Sequence, residues 1–131
     1  MRIPQELIDE MVAHAREDAP NECCGMVGGQ DGEARTVHRT RNALASPFSY
    51  DIDSKDLIRT YNGITEAGDE LVAIYHSHTR SAAQPSQTDI NLAHYPDSVY
   101  IIVSLEDPDD PDVRGFWIRD GQVEEARLDV A

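Results

Sequence analysis

Apolar residues recur at helical spacing near the start of the chain, at Leu7, Ile8, Met11, Val12 and Ala15. This predicts an amphipathic helix over residues 5–18, ended by Pro20. Residues 23–27 are small and apolar throughout and read as a central strand, with Gly28-Gly29 and Asp31-Gly32 making the turn after it. Residues 34–41 alternate well enough for a second strand, and residues 49–52 for a short third. Leu57, Ile58, Tyr61 and Ile64 restore the helical period behind a cap at Asp53 or Ser54, in a helix that stops near Gly68. A strand over 70–76 follows, then a short helix over 87–94 closed by Pro96, then a strongly β-prone strand over 99–105. Residues 113–119 and 122–128 flank Asp120-Gly121, a hairpin signal. The predicted order is helix, three strands, helix, strand, short helix, three strands. That is mixed α/β, with a curved, mostly antiparallel sheet flanked by helices.

Composition narrows the class. At 131 residues the chain is long enough for one domain, 1–131, burying about two-thirds of its unfolded surface. With 40% hydrophobic and 27% charged residues it reads as an ordinary globular protein. No run approaches the about 18 apolar residues of a membrane span, and the first residues lack the apolar stretch of a secretory signal. Cys23 and Cys24 are adjacent and suggest no disulfide framework, so a reducing, cytoplasmic setting is expected. The net charge of −14 opposes binding to nucleic acid or an anionic membrane and favours a basic protein surface. Equally, it serves solubility alone. The acids concentrate in residues 106–112, a solvated loop with two prolines.

The chemistry gathers after the strand over 70–76. His76 and His78 are two apart, so on a strand end they project to the same face, and Asp89 can return to them after a short loop. Two imidazoles and a carboxylate suit zinc, and three protein ligands leave a fourth position open for water. Two histidines at this spacing are also commonly a plain exposed pair. Ser86-Gln87-Thr88-Asp89 fits a helix N-terminus, a reading compatible with Asp89 as a ligand. Glu22, in Pro20-Asn21-Glu22-Cys23-Cys24-Gly25, is the upstream acid that could move protons for a metal-activated water, though an isolated Glu is more often a surface acid. Phe116 and Trp117 read as packing residues. His14, His38 and His94 lack partners at ligand spacing and read as surface or helix-face residues.

The series Glu22, His76-Ser77-His78, seven residues, Ser86, two residues, Asp89 resembles the JAMM motif of the MPN+ (Mov34) metalloprotease family. The Glu-x-Cys-Gly context and the Pro85-Ser86 pair are similar too, and the resemblance runs from the first helix to about Ser104. It implies a single MPN domain with a cytidine-deaminase-like outline, and one Zn2+ per chain held by His76, His78 and Asp89. It also implies Glu22 as the general acid/base and Ser86 as the group steadying the oxyanion. The implied activity is hydrolysis after the C-terminal Gly-Gly of ubiquitin-like proteins. Within the family the chain looks most like the bacterial CysO-cysteine peptidase type, which implies release of cysteine from a sulfur carrier protein and a link to cysteine biosynthesis. An isopeptidase that removes ubiquitin-like modifiers from lysines is the alternative, and a non-catalytic MPN scaffold a third reading. Family members often pair, so a homodimer is compatible. The chain lacks room for the long insertions of eukaryotic relatives, so selective cleavage of polyubiquitin is not expected. Zinc deaminases share the outline but need a Pro-Cys-x-x-Cys segment that is absent here. By position alone, residues 79–84 and 43–50 are the expected groove walls. Cys23 has no expected role.

Overall fold

Small apolar residues let a strand be sandwiched between neighbours on both edges and covered on both faces, and the segment after Glu22 occupies such a place. In the computed structural model, which describes residues 1–131, it lies inside one eight-stranded sheet. The elements in chain order are β1 (Arg2–Ile3), α1 (Gln5–Asp18), β2 (Cys24–Gln30), β3 (Glu33–Thr40), α2 (Ser54–Glu66) and β4 (Glu70–His78). They continue with α3 (Gln87–Asn91), β5 (Val99–Ser104), β6 (Asp112–Arg119), β7 (Gln122–Ala126) and β8 (Asp129–Val130). Across the sheet the order is β7-β6-β5-β4-β2-β3-β1-β8. The long neighbours are antiparallel except β4 and β5, which run parallel and are joined by the crossover that carries α3. The short terminal strands pair parallel, β1 with β3 and β8 with β1. No helix is long and apolar enough to cross a membrane.

Strand alternation divides the core into two layers. On one face Ala73, Tyr75, Val99, Ile101 and Val103 pack with Met11 and Ala15 of α1. On the other, Ile74, Tyr100, Ile102, Phe116 and Ile118 form a second cluster, where Leu57 of α2 and Tyr50 close over the sheet. His76 and His78 follow Ile74 on this second face. Gly25 lies directly under the Tyr75 ring. A Cβ there would lie 2.2 Å from the Tyr75 ring, so only glycine lets β2 carry Glu22 up beside the histidines of β4.

The structure departs from the sequence expectations in several places. β2 runs on through Gly28-Gly29 because β3 and β4 supply ladder partners on both edges, and the turn is Asp31-Gly32 alone. Asp31 and Gly32, like Asp120 and Gly121, both have positive φ, as a tight hairpin requires. β4 extends to His78 because β5 pairs with it as far as Ser104. No strand forms over 49–52. Only an isolated Asn42–Ile52 bridge remains, since the Asn42 side chain takes the backbone groups of Ser49 and Asp51. α3 stops at Asn91, and β1 and β8, too short to show a period, were not foreseen. His14 is not a surface residue. It is 4% exposed, with Nδ1 2.7 Å from the Tyr75 hydroxyl, because α1 lays this flank on the sheet. His38 is half-buried and His94 exposed. Phe116 is buried and Trp117 packs against the core, under the Arg119 guanidinium.

Candidate metal centre

Three elements bring the donors together. β4 delivers His76 and His78 from consecutive same-face positions. The turn that follows ends at Ser86, the N-cap of α3, whose Oγ accepts from the Asp89 backbone N–H at 3.1 Å. Asp89 returns the bond, its Oδ2 accepting from the Ser86 N–H at 2.9 Å. This reciprocal capping box fixes the carboxylate over the strand end. Asp89 Oδ2 lies 3.2 Å from His76 Nε2 and 3.0 Å from His78 Nε2, and the two Nε2 atoms are 3.2 Å apart. All three residues are buried. The cap and the ligand readings of Asp89 are therefore one arrangement.

The protonation pattern favours a cation in the middle. His78 Nδ1 faces the Ala82 carbonyl at 2.9 Å, and a carbonyl only accepts, so the ring proton sits on Nδ1. In the neutral ring that leaves a lone pair on Nε2, aimed at a carboxylate oxygen and a second imidazole nitrogen. His76 Nδ1 has no hydrogen-bond partner. With the His76 proton there too, three acceptor atoms would face one another, an arrangement that a cation among them stabilises, and two imidazoles with one carboxylate are a zinc donor set. His76 is walled by Tyr50, whose ring stacks on it at 4.4 Å and 21°. Burial lowers the pKa of His76, keeping it neutral and ready to ligate despite Asp89. For His78 burial is the strongest single influence and pulls downward, but the Asp89 hydrogen bond, the Ala82 carbonyl and the nearby Asp89 and Glu22 charges together outweigh it and the net shift is up. Burial would raise Asp89, yet the two imidazoles and the Ser86 N–H hold its carboxyl far below the usual range.

Glu22 stands beside this cage, 3% exposed, with Oε1 buried and without a hydrogen-bond partner. Burial pushes its pKa up to about 8, with His78 opposing and Asp89 adding to the rise. A carboxyl poised near neutrality, with a free oxygen, suits proton transfer. Ser86 is exposed at the rim, its oxygen accepting from Asp89 and its hydroxyl hydrogen free to point outward. Cys23 and Cys24 are free and buried, and burial raises their thiols to about 12 and about 11, so neither offers a thiolate at neutral pH. Cys23 is core, its backbone N–H donating to Ser77 Oγ at 2.8 Å. Tyr50, expected only as part of a groove wall, is the ring neighbour of His76. Ala82, inside the expected wall over 79–84, supplies the carbonyl that faces His78, and Asn42 went unforeseen. Neither stands in a periodic pattern, and both act through the folded loops.

Among known proteins, residues 4–119 match the family model described as prokaryotic homologs of the JAB domain. The chain is 40% identical over 130 residues to the CysO-cysteine peptidase of Mycobacterium tuberculosis H37Rv, across 98% of this chain and 89% of that protein. It is 40% identical over 104 residues to a desampylase of Haloferax volcanii, across 73% and 74% of the two. The solution structure of a Desulfitobacterium hafniense protein matches with TM-score 0.91 at 31% identity, covering 100% of this chain and 93% of that one.

Proposed function

The chain belongs to the prokaryotic JAB (JAMM/MPN+) family and is a hydrolase of the JAMM type, and from that premise we propose a zinc-dependent peptidase acting after the C-terminal Gly-Gly of a ubiquitin-like sulfur carrier, releasing cysteine from a carrier–cysteine adduct. The observation that carries this is the buried cage of His76, His78 and Asp89 with the partnerless Glu22 carboxyl beside it. The similarity to the mycobacterial peptidase supports the choice of adduct.

His76, His78 and Asp89 would hold one zinc ion per chain, which supplies Lewis acidity to a water and to the scissile carbonyl. Glu22 does the proton work. Its partnerless Oε1 beside the cage can take a proton from the attacking water and return it to the departing amine. The Ser86 hydroxyl, held by the Asp89 N–H on its oxygen, keeps its hydrogen for the developing oxyanion. Losing one such donor typically lowers kcat about 10²–10³-fold. An extended Gly-Gly tail suits a buried site, since glycines bring no side chains to it. Beyond Tyr50, an apolar pocket of about 500 Å³ lined by Ile52, Ile74, Leu92, Tyr95 and Tyr100 is open to the residues before that tail.

The second reading, an isopeptidase for lysine-linked conjugates, is favoured by the similarity to the desampylase. The two separate when zinc-loaded protein is incubated with a carrier–cysteine adduct and a carrier–lysine isopeptide, and the products are weighed by mass spectrometry. Loss of one cysteine residue from the linear adduct, faster than cleavage of the lysine linkage, is expected. Preference for the lysine linkage selects the second reading, and an intact adduct in the presence of bound zinc sinks the first.

A further inference from the structure

Glu22 lies just outside β2, so no strand ladder fixes its peptide. Both of that peptide's polar groups are taken instead by the loop between β3 and α2. Its N–H donates to the Ser46 carbonyl at 2.8 Å, and its carbonyl accepts from Asn42 Nδ2 at 3.1 Å. The same amide donates a second hydrogen to the Ser49 carbonyl at 3.0 Å. Asn42 Oδ1 accepts from the N–H groups of Leu44 at 3.0 Å and Asp51 at 3.1 Å. A primary amide has two donor hydrogens and two acceptor lone pairs, and Asn42 uses all four. Its bonds to Ser49 and Asp51 bracket Tyr50, the ring stacked on His76. The loop also keeps Ala45 at φ +46°, a conformation that costs a non-glycine residue energy and persists only where the surroundings impose it.

We propose that Asn42 is a positioning residue: its one side-chain amide sets both the carboxyl-bearing segment at Glu22 and the aromatic wall on His76, so that proton donor and metal cage stay in register. The catalytic part of this inference rests on Glu22 as the acid/base. The geometric part does not. Asparagine is required because the Glu22 and Ser49 carbonyls need donors while the Leu44 and Asp51 amides need an acceptor. Aspartate keeps the acceptor and puts an oxygen against two carbonyls. Alanine removes all four bonds.

The test is amide hydrogen exchange on the metal-free protein, paired with kinetics of the zinc-loaded enzyme on a carrier–cysteine adduct. In N42D the Leu44 and Asp51 amides stay protected, while the Glu22 carbonyl faces an oxygen in place of a donor, the segment is pushed off the Ser46 carbonyl and the Glu22 amide exchanges about tenfold faster or more. In N42A all three are exposed. The zinc-loaded N42D enzyme keeps about one metal per chain and a KM within about twofold, while kcat falls about tenfold or more, as misplacement of a proton-transfer group predicts. An unchanged Glu22 amide, or kcat within about twofold of wild type, overturns the proposal. A fall of about ten degrees in melting temperature with protection lost throughout β2 and β4 makes Asn42 a fold residue only and also overturns it. Wild-type protein inert on every carrier while the exchange pattern holds would instead overturn the peptidase reading of Glu22 and leave the loop geometry standing.

Discussion

A single carboxyl ties the stability of this protein to pH, and under the proposed mechanism it governs turnover as well. Glu22 has a folded pKa raised to about 8 by burial, against an ordinary value of 4.5. The folded state therefore keeps a proton that the unfolded state has released between these values. The contribution of Glu22 to stability is fully present below pH 4.5 and is lost as pH rises through 8. At pH 7 that loss is on the order of 3 kcal/mol in the metal-free protein. Glu22→Gln has no proton to lose. With zinc chelated, its melting temperature is expected to exceed that of wild type by a margin that widens from pH 5 to pH 8. Parallel melting curves for the two proteins across that range would refute the buried acid. With zinc restored the same variant should retain its metal and lose about 10²–10⁴-fold in kcat, the span associated with a general acid/base.

At the scale of elements, two helix caps have the same local chemistry and different consequences. Asp53 accepts from the Asp56 N–H at the start of α2, and Ser86 accepts from the Asp89 N–H at the start of α3. Removing a serine cap costs about 1 kcal/mol of stability. For Ser86→Ala the backbone N–H that holds the Asp89 carboxylate remains, but the Asp89 N–H loses its acceptor, so the first turn of α3 that aims the carboxylate at the histidines loosens. Zinc affinity, read by competition with a chromogenic chelator, should fall together with activity. Asp53→Ala should lower the melting temperature while affinity and kcat stay at wild-type level. Equal effects of the two variants on zinc binding would show that the capping box does not position Asp89. The exposed Ile58 and Tyr61 on α2 illustrate a limit of periodicity. The helical repeat marks them as apolar, but the sheet beneath has room only for Leu57 and Ile64.

Across the whole molecule, the cluster of His76, His78 and Asp89 ties the crossover between β4 and β5 to the strand end, so zinc bound there should act as a clamp on the fold. Free zinc at a hundred times its dissociation constant adds about 2.7 kcal/mol. That should raise the melting temperature of wild type by several degrees and leave Asp89→Asn unmoved. A comparable rise in the variant would place the ion elsewhere. The net charge of −14 acts at longer range, including the acid-rich turn over 106–112. Cleavage of a basic carrier should slow as salt rises from about 0.05 to 0.5 M, because screening shortens the reach of the field. An acidic carrier should show no such slowing, and identical salt profiles for the two would remove electrostatic steering from the account.

The sequence by itself determined the helices over 5–18 and after Asp53, the strands entering the site, both Asp-Gly turns and the spacing of Glu22, His76, His78, Ser86 and Asp89. These follow from local rules: helical period, strand alternation, φ-permissive turn residues and caps. Only the tertiary structure decided that His14 is buried against Tyr75, that β2 passes through Gly28-Gly29, and that 49–52 is a loop stapled by Asn42 rather than a strand. Each depends on which backbone or ring lies opposite, and that is set by the packing of segments far apart in the chain. The proton on His78 Nδ1 and the raised pKa of Glu22 belong to the same class, since a carbonyl partner and a dry environment exist only once the chain has closed.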